Sequence, residues 1–228
     1  MLKNKSYIGI SFIILIFGIY AIPKIVERIK NDKTVQGERL DRIKPKTADE
    51  GKLIKIGAVP NFELVNQDNK KITNETYKGK VYVLEFFFST CPTICPKMNE
   101  SMLILENKFF GNPNFGIVSI TINPEHDSPE VLKQHAKDLG VKSSNWNFLT
   151  GDKDYIFKLA NKGFNLYAGQ NNKVAGGFEH SGLFALIDKN GNIRCRNDEY
   201  GNPILYYDGL DKKGVRNIQQ DINILLAE

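Results

Sequence analysis

The chain has 228 residues, 41% hydrophobic and 25% charged, an ordinary globular composition that excludes a disordered, collagenous or purely coiled-coil protein. Of the formal net charge of +5, residues 1–30 supply +4 through Lys3, Lys5, Lys24, Arg28 and Lys30 against Glu27. Residues 31–228 are left near neutrality, without the concentrated basic field that phosphate binding requires, so a nucleic-acid partner is excluded.

The first readable feature is the uncharged apolar run YIGISFIILIFGIYAI at 7–22, flanked by Lys3 and Lys5 before it and by Pro23 and Lys24 after it. Its 16 residues fall just under the ~17–25 of a spanning helix and near the ~7–15 of a signal-peptide core. No A-x-A cleavage site closes the run and no cysteine follows to take a lipid. The expectation is an uncleaved single-pass anchor over residues 1–30 in the inner (cytoplasmic) membrane, its short tail on the cytoplasmic side and the remaining chain on the extracytoplasmic, periplasmic side. Residues 31–50 are charge-rich and poor in aromatics, the composition of a solvated linker. A folded domain is expected over 51–228, large enough to build a core without disulfide staples.

Within that domain, FELVNQDNKKIT (62–73) has the turn-centred pattern of a hairpin. VYVLEFFF (81–88) reads as a buried central strand, and Pro96 opens a helix at the first-turn position where proline is tolerated. GIVSITI (116–122) is the next strand. A second helix comes after it, with Asp127 and Glu130 spaced as a capping box, Pro129 in its first turn and Gly140 as its stop. WNFLT (146–150) is a third strand, and DYIFKLANKGF is a third helix ended by Gly163. Beyond the Gly- and Asn-rich stretch 168–177, LFALID (183–188) and NIRCR (192–196) flank a glycine turn as a hairpin, and a helix over about 211–226 closes the chain. Parallel βαβ units followed by an antiparallel hairpin predict a mixed sheet with helices on both faces. The order fits a thioredoxin-like fold with one inserted α/β unit and an N-terminal hairpin.

Cys91 and Cys95 fall between the first buried strand and its helix, in STCPTICP. Unpaired N–H groups at a helix start favour thiolate, and Pro92 and Pro96 restrict the backbone around both sulfurs. Both thiols are therefore expected to be reactive. The C-x-x-x-C spacing suits either a reversible disulfide or two ligands to a metal, and soft thiolates select Cu(I) or zinc. A structural zinc site needs four protein ligands, and Cys195, the remaining cysteine, lies far along the chain without a partner nearby. A purely structural disulfide would close a loop too short to restrict the unfolded chain much. Of the three histidines, His126 and His135 read as solvated helix residues. His180, in GGFEHSG, ends the glycine-rich stretch, where an imidazole can approach a helix start; by itself it is compatible with either a structural or a ligand role.

In order and spacing, KGKVYVLEFFFSTCPTICPKM, SITINPEHDSPEVLKQHA, FLTGDKDYIFKLA and FEHSGLFALIDKNGNI resemble the Sco/SenC family of membrane-anchored copper proteins over about residues 55–228. The resemblance implies a thioredoxin-like fold, copper, as Cu(I) or Cu(II), bound by Cys91, Cys95 and His180, and a role in assembling the dinuclear copper centre of cytochrome c oxidase. The copper-centre subunit of that oxidase is then the expected partner, with a thioredoxin-like reductant or an upstream copper donor beside it, and the soluble domain is expected to be monomeric. Two positions depart from the family pattern: Asn123 stands where an aspartate is usual before Pro124, and Glu179 stands where an aspartate is usual before the histidine. The amide at 123 cannot serve an acid–base role, Asp127 is expected to cap its helix, and Cys195 is read as an incidental strand thiol. Two functions compete. One is a copper metallochaperone. The other is a thiol-disulfide reductase for the oxidase cysteines, with Cys91 attacking and Cys95 resolving. A peroxiredoxin-like peroxidase would share the fold but leave His180 without a purpose.

Overall fold

The structure, a computed structural model, describes residues 6–30 and 52–228. The chain divides into two compact units, residues 1–47 and 48–228. In the first, helix α1 (Ser6–Lys30) contains the apolar run together with Pro23, and Phe12, Ile13, Ile14, Phe17 and Ile19 on it are all largely exposed. Among the described residues no helix is long and apolar enough to cross a membrane, so the spanning segment expected at 7–22 is not established. The expected linker at 31–50 and the boundary at Gly51 lie outside the described residues.

The second unit is built on a mixed sheet in the order β1-β10-β9-β4-β5-β6-β2-β3. At its centre β4 (Val81–Phe87) and β5 (Phe115–Thr121) run parallel, in register from Val81 opposite Phe115 to Phe87 opposite Thr121. Every residue of both strands is buried, which is why their sequences read as continuous runs rather than alternating ones. β6 (Trp146–Thr150) extends the parallel set. On the other side β9 (Leu183–Ile187) lies antiparallel to β4, and β10 (Asn192–Cys195) antiparallel to β9. The edges are β1 (Ile54–Ala58), against β10, and the hairpin of β2 (Glu63–Asn66) and β3 (Lys71–Thr73), against β6. Helix α2 (Cys95–Phe109) joins β4 to β5, and α3 (Pro129–Leu139) joins β5 to β6. After β6, α4 (Lys153–Lys158) continues into a π-helical turn at Leu159–Phe164. A small separate ladder pairs β7 (Ala168–Gln170) with β8 (Phe178–His180), β11 (Tyr207–Asp208) adds to β9, and α5 (Lys212–Ala227) ends the chain. This is the thioredoxin-like mixed α/β arrangement expected from the sequence. The strand β1, which the sequence pattern does not announce, is largely exposed along its length and so carries little hydrophobic signal.

Three local expectations are corrected. Asp127 does not cap α3: the N-cap is Ser128, whose side chain accepts from the Val131 N–H, while the Asp127 carboxylate is fully buried and turned toward β4 and β5. Gly163 does not end the third helix; it lies inside the π-helical turn, where a Cβ would come within 3.0 Å of Pro60 Cγ, and the left-handed stop is Asn165 at φ 53°. His135 is not solvated. It sits on the inward face of α3, stacked on Phe87 at 5.5 Å between ring centroids and edge-on to Phe148. Gly140 does end α3, in the left-handed conformation at φ 75°, where glycine carries no Cβ penalty.

Candidate metal centre

The site begins where β4 leaves the sheet. Phe88, almost fully buried, anchors the turn, and its carbonyl accepts from the Cys91 N–H at 3.2 Å. Pro92 and Thr93 carry the chain outward before α2 starts at Cys95, with Pro96 in its first turn. Proline there costs nothing, because the first-turn N–H groups have no intrahelical partner. Cys91 is 8% and Cys95 2% exposed, and both thiols are free, as is Cys195.

His180 arrives from the opposite side on β8. The short ladder places it opposite Ala168, and the Ser181 N–H continues the pairing by donating to Tyr167 O at 3.0 Å. Gly176 makes the approach possible: at φ +87° it has a backbone that other residues rarely adopt, and a Cβ there would lie 3.0 Å from both Phe88 and Pro92. The Gly- and Asn-rich stretch is thus a hairpin folded over the cysteine turn. Phe88 meets the His180 ring edge-on at 5.9 Å and packs against Phe178 at 5.5 Å.

The ring of His180 is oriented at both nitrogens. Nδ1 is 3.0 Å from the Ser181 carbonyl, and Nε2 is 3.1 Å from Cys95 Sγ. A carbonyl can only accept, so Nδ1 donates to Ser181, and Nε2 is the nitrogen turned to the sulfurs, the one a metal would take. One ligand atom from each of Cys91, Cys95 and His180 lies within 4.8 Å of the other two. The three residues singled out in the sequence are therefore brought together, and among the described residues no other group of three comparable side chains is. Two soft sulfurs and one imidazole match the preferences of copper, and three donors fall short of a closed structural zinc site.

The two thiols are electrostatically unlike. The Cys95 thiol donates toward Cys91 and, against the cost of burial and with help from His180 and Thr93, holds the Cys91 pKa down to about 3. The same bond, reinforced by burial, pushes Cys95 up. The surroundings therefore favour thiolate, the nucleophilic and metal-binding form, at Cys91 over Cys95.

Two further carboxyl groups shape the surroundings: Glu85, which the sequence did not single out, and Asp127, which it placed only as a helix cap. Glu85, in the middle of β4, is 0% exposed; its Oε1 accepts from Ser119 Oγ at 2.8 Å, while Oε2 has no partner. Burial pushes its pKa up to about 8, only partly opposed by the Ser119 bond. Its signal was visible as the one charge in VYVLEFFF. Asp127 accepts from the Ser89 N–H at 3.1 Å and from the Ser89 and Thr121 hydroxyls, so it ties the end of β4 to β5 two residues before Cys91. The Asn123 side chain makes no such tie; the residue contributes its backbone carbonyl, which accepts from the His126 and Asp127 N–H groups.

Comparison with known proteins gives a consistent picture. The sequence profile of the SCO1/SenC family matches residues 54–212. A SCO1 protein homolog of Bacillus subtilis is 38% identical over 108 residues, covering 46% of this chain and 56% of the relative, so the match spans little more than half of that protein. Among solved structures, BsSco, described as a member of the Sco family of cytochrome c oxidase assembly proteins with a disulfide switch, superposes with a TM-score of 0.63 at 28% identity, over 75% of this chain and 95% of its own. Yeast Sco1 with copper bound gives 0.53 at 26% identity, over 73% and 89%. With the profile match running from β1 into the start of α5 and taking in all three converging side chains, this chain belongs to the SCO1/SenC family.

Proposed function

We propose that this chain is a copper metallochaperone that takes part in assembling the dinuclear copper centre of cytochrome c oxidase. The observation that carries the reading is the convergence of the ligand atoms of Cys91, Cys95 and His180 within 4.8 Å of one another, supported by similarity to a copper-bound yeast relative and to an oxidase assembly protein. Copper is the cargo. Cu(I) accepts two soft ligands and is held by the thiolates of Cys91 and Cys95, whereas Cu(II) prefers a tetragonal set with nitrogen and oxygen and recruits His180 in addition. Delivery is by ligand exchange with the copper-site cysteines of the oxidase subunit.

The exposed apolar helix α1 acts as the membrane anchor of this domain and holds it on the extracytoplasmic side, near the membrane-bound oxidase. Its apolar side chains have no protein partner to cover them among the described residues, and lipid is the solvent that would.

The second reading, a thiol-disulfide reductase, is favoured by the unequal thiols. A Cys91 thiolate beside a protonated Cys95 is the division of labour of an attacking and a resolving cysteine. Anaerobic copper titration of the reduced protein separates the two. The expected result is one copper per chain in either oxidation state, with His180→Ala weakening Cu(II) by at least 100-fold, on the order of a lost ligand or its orienting shell, and leaving Cu(I) and disulfide exchange nearly intact. Unchanged Cu(II) binding in His180→Ala, with loss of partner-disulfide reduction, would reject the chaperone in favour of the reductase.

A further inference from the structure

Asp127 is buried to 0% exposure in a place the capping of α3 does not explain, since Ser128 performs that role. Its two oxygens are surrounded by donors from three directions. Ser89 offers both its N–H, at 3.1 Å from Oδ2, and its hydroxyl to Oδ1; Thr121 offers its hydroxyl to Oδ2; and His126 Nδ1 lies 2.8 Å from Oδ1. The turn that carries it is closed by its own backbone, the Asp127 N–H donating to Asn123 O at 2.9 Å and the Asn123 N–H to Thr121 Oγ1 at 3.0 Å. Thr121 belongs to β5, whose ladder with β4 runs to Phe87 opposite Thr121, and Ile122 N–H then donates to Phe87 O at 2.8 Å. The regular pairing of β4 therefore stops at Phe87, and beyond it Asp127 holds the next residue but one.

Ser89 leads through Thr90 directly to Cys91. The Cys91 N–H is tied back to Phe88 O, so Ser89 and Thr90 form a two-residue turn fixed at one end by Phe88 and in the middle by Asp127. A turn this short transmits displacement: a shift of Ser89 moves the Cα of Cys91 by a comparable distance, because each residue spans only ~3.3–3.6 Å. Cys95, by contrast, is held by α2, and His180 by its ladder with β7. Of the three converging groups, Cys91 alone depends on a turn outside regular structure, and the buried carboxylate is the device that fixes it.

We propose that Asp127 is a positioning residue for Cys91, setting through Ser89 the separation of the Cys91 sulfur from Cys95 and His180. The copper part of this rests on the function proposed above, while the thiol part does not. When Cys91 and Cys95 close a disulfide with oxidised glutathione, the Cys91 thiolate attacks the reagent and expels one glutathione; Cys95 then gives up its proton and displaces the second, so two electrons pass from the pair to the reagent. The rate of the second displacement reads the distance between the two sulfurs directly.

The experiment uses the full chain with Asp127→Ala, Asp127→Asn, Ser89→Ala and Thr121→Val. Closure is followed by mass spectrometry, fold by circular dichroism and thermal unfolding, and the Cu(II) site by its sulfur-to-copper charge-transfer absorption. In Asp127→Ala, closure is expected to slow by on the order of 10–100-fold, the loss that a misplacement of about 1 Å produces in oriented reactions. Asp127→Asn, which keeps an acceptor for the Ser89 N–H, should recover most of the rate. Ser89→Ala should slow closure too, and adding it to Asp127→Ala should cost nothing further, as expected of residues in one network. Thr121→Val, which loosens Asp127 on the β5 side only, should lower the unfolding temperature without slowing closure. If Asp127→Ala and Ser89→Ala both close at the wild-type rate, or if every variant slows closure only in proportion to its lost stability, Asp127 is merely structural and the proposal is overturned. Slowed closure in a protein whose wild type shows no copper absorption would leave the positioning role standing and remove the metallochaperone.

Discussion

At the scale of single residues, the site is a problem of placing charge in a buried setting. Thiolate at Cys91 is favoured chiefly by its interaction with Cys95, and His180 turns Nε2 to the pair. Glu85 lies in the same half of the sheet and has the opposite character, a carboxyl kept protonated because nothing but one serine hydroxyl answers it. Its effect on stability has a definite sign. A carboxyl raised from 4.5 to about 8 in the folded state contributes its full stability below pH 4.5, where both states hold the proton. Between pH 4.5 and 8 the unfolded chain ionises while the folded chain does not, and this contribution falls by ~1.4 kcal/mol per pH unit. Above pH 8 no further loss occurs. Chemical denaturation of wild type and Glu85→Gln between pH 5 and 8 should therefore give curves that converge toward low pH, with the wild type losing stability faster as pH rises. Parallel curves would mean that Glu85 ionises inside the fold as it does outside. Cys91 and Cys95 were legible in the sequence because their spacing and place are unusual, and His180 because of the family resemblance. Glu85 was not assigned there and Asp127 was given a capping role it does not have, because a carboxylate declares its role only through what surrounds it.

Among the elements, the two that matter most to the site are the least regular, the turn between β4 and α2 and the β7–β8 hairpin. The helices and central strands announced themselves by apolar period, proline at a helix start and glycine at a helix stop, and the observed β6 coincides with the expected 146–150. The hairpin was hidden because its strands are three residues each and the stretch joining them is rich in asparagine and glycine, a composition that also describes a loop. Gly176 decides which it is. Replacing it by alanine would force a Cβ against Phe88 and Pro92 at 3.0 Å in a backbone of φ +87°, costing about 1–3 kcal/mol as strain that only local rearrangement can relieve. Gly176→Ala should accordingly lower the unfolding temperature by several degrees, and the hairpin should lift from the cysteine turn. Loss of Cu(II) affinity greater than loss of Cu(I) affinity would result from the displaced His180; equal losses would show that the hairpin does not govern the ligand. The departures at Asp127 and Gly163 share a cause with this one. Each residue type is a common helix terminus, and in each case a tertiary contact, with Ser89 and Thr121 or with Pro60, claimed it first.

For the whole molecule, separability is the testable matter. Residues 31–228 are close to charge-neutral overall, and the core built on Trp146, Tyr82, Phe86, Phe87, Phe148 and Phe184 lies wholly in the second unit. A chain starting at residue 48 should fold, remain in solution without detergent as a monomer and bind copper as the full chain does, whereas the full chain should partition with membranes. Equal solubility of the two would remove the anchor; aggregation of the shorter chain in reducing buffer would show that the domain needs residues before 48. The sequence by itself determined the fold class, the order of the central elements and the two cysteines, since apolar periodicity, turn residues and cysteine spacing are local properties that survive in one dimension; His180 was singled out as a ligand only by the family resemblance. Only the tertiary structure decided which nitrogen of His180 faces the sulfurs, the unequal surroundings of Cys91 and Cys95, and the inward turn of Glu85 and Asp127. Each of these is set by burial and by hydrogen bonds between residues up to 85 positions apart, and the free energy of a charge depends on the groups packed around it rather than on its neighbours in the chain.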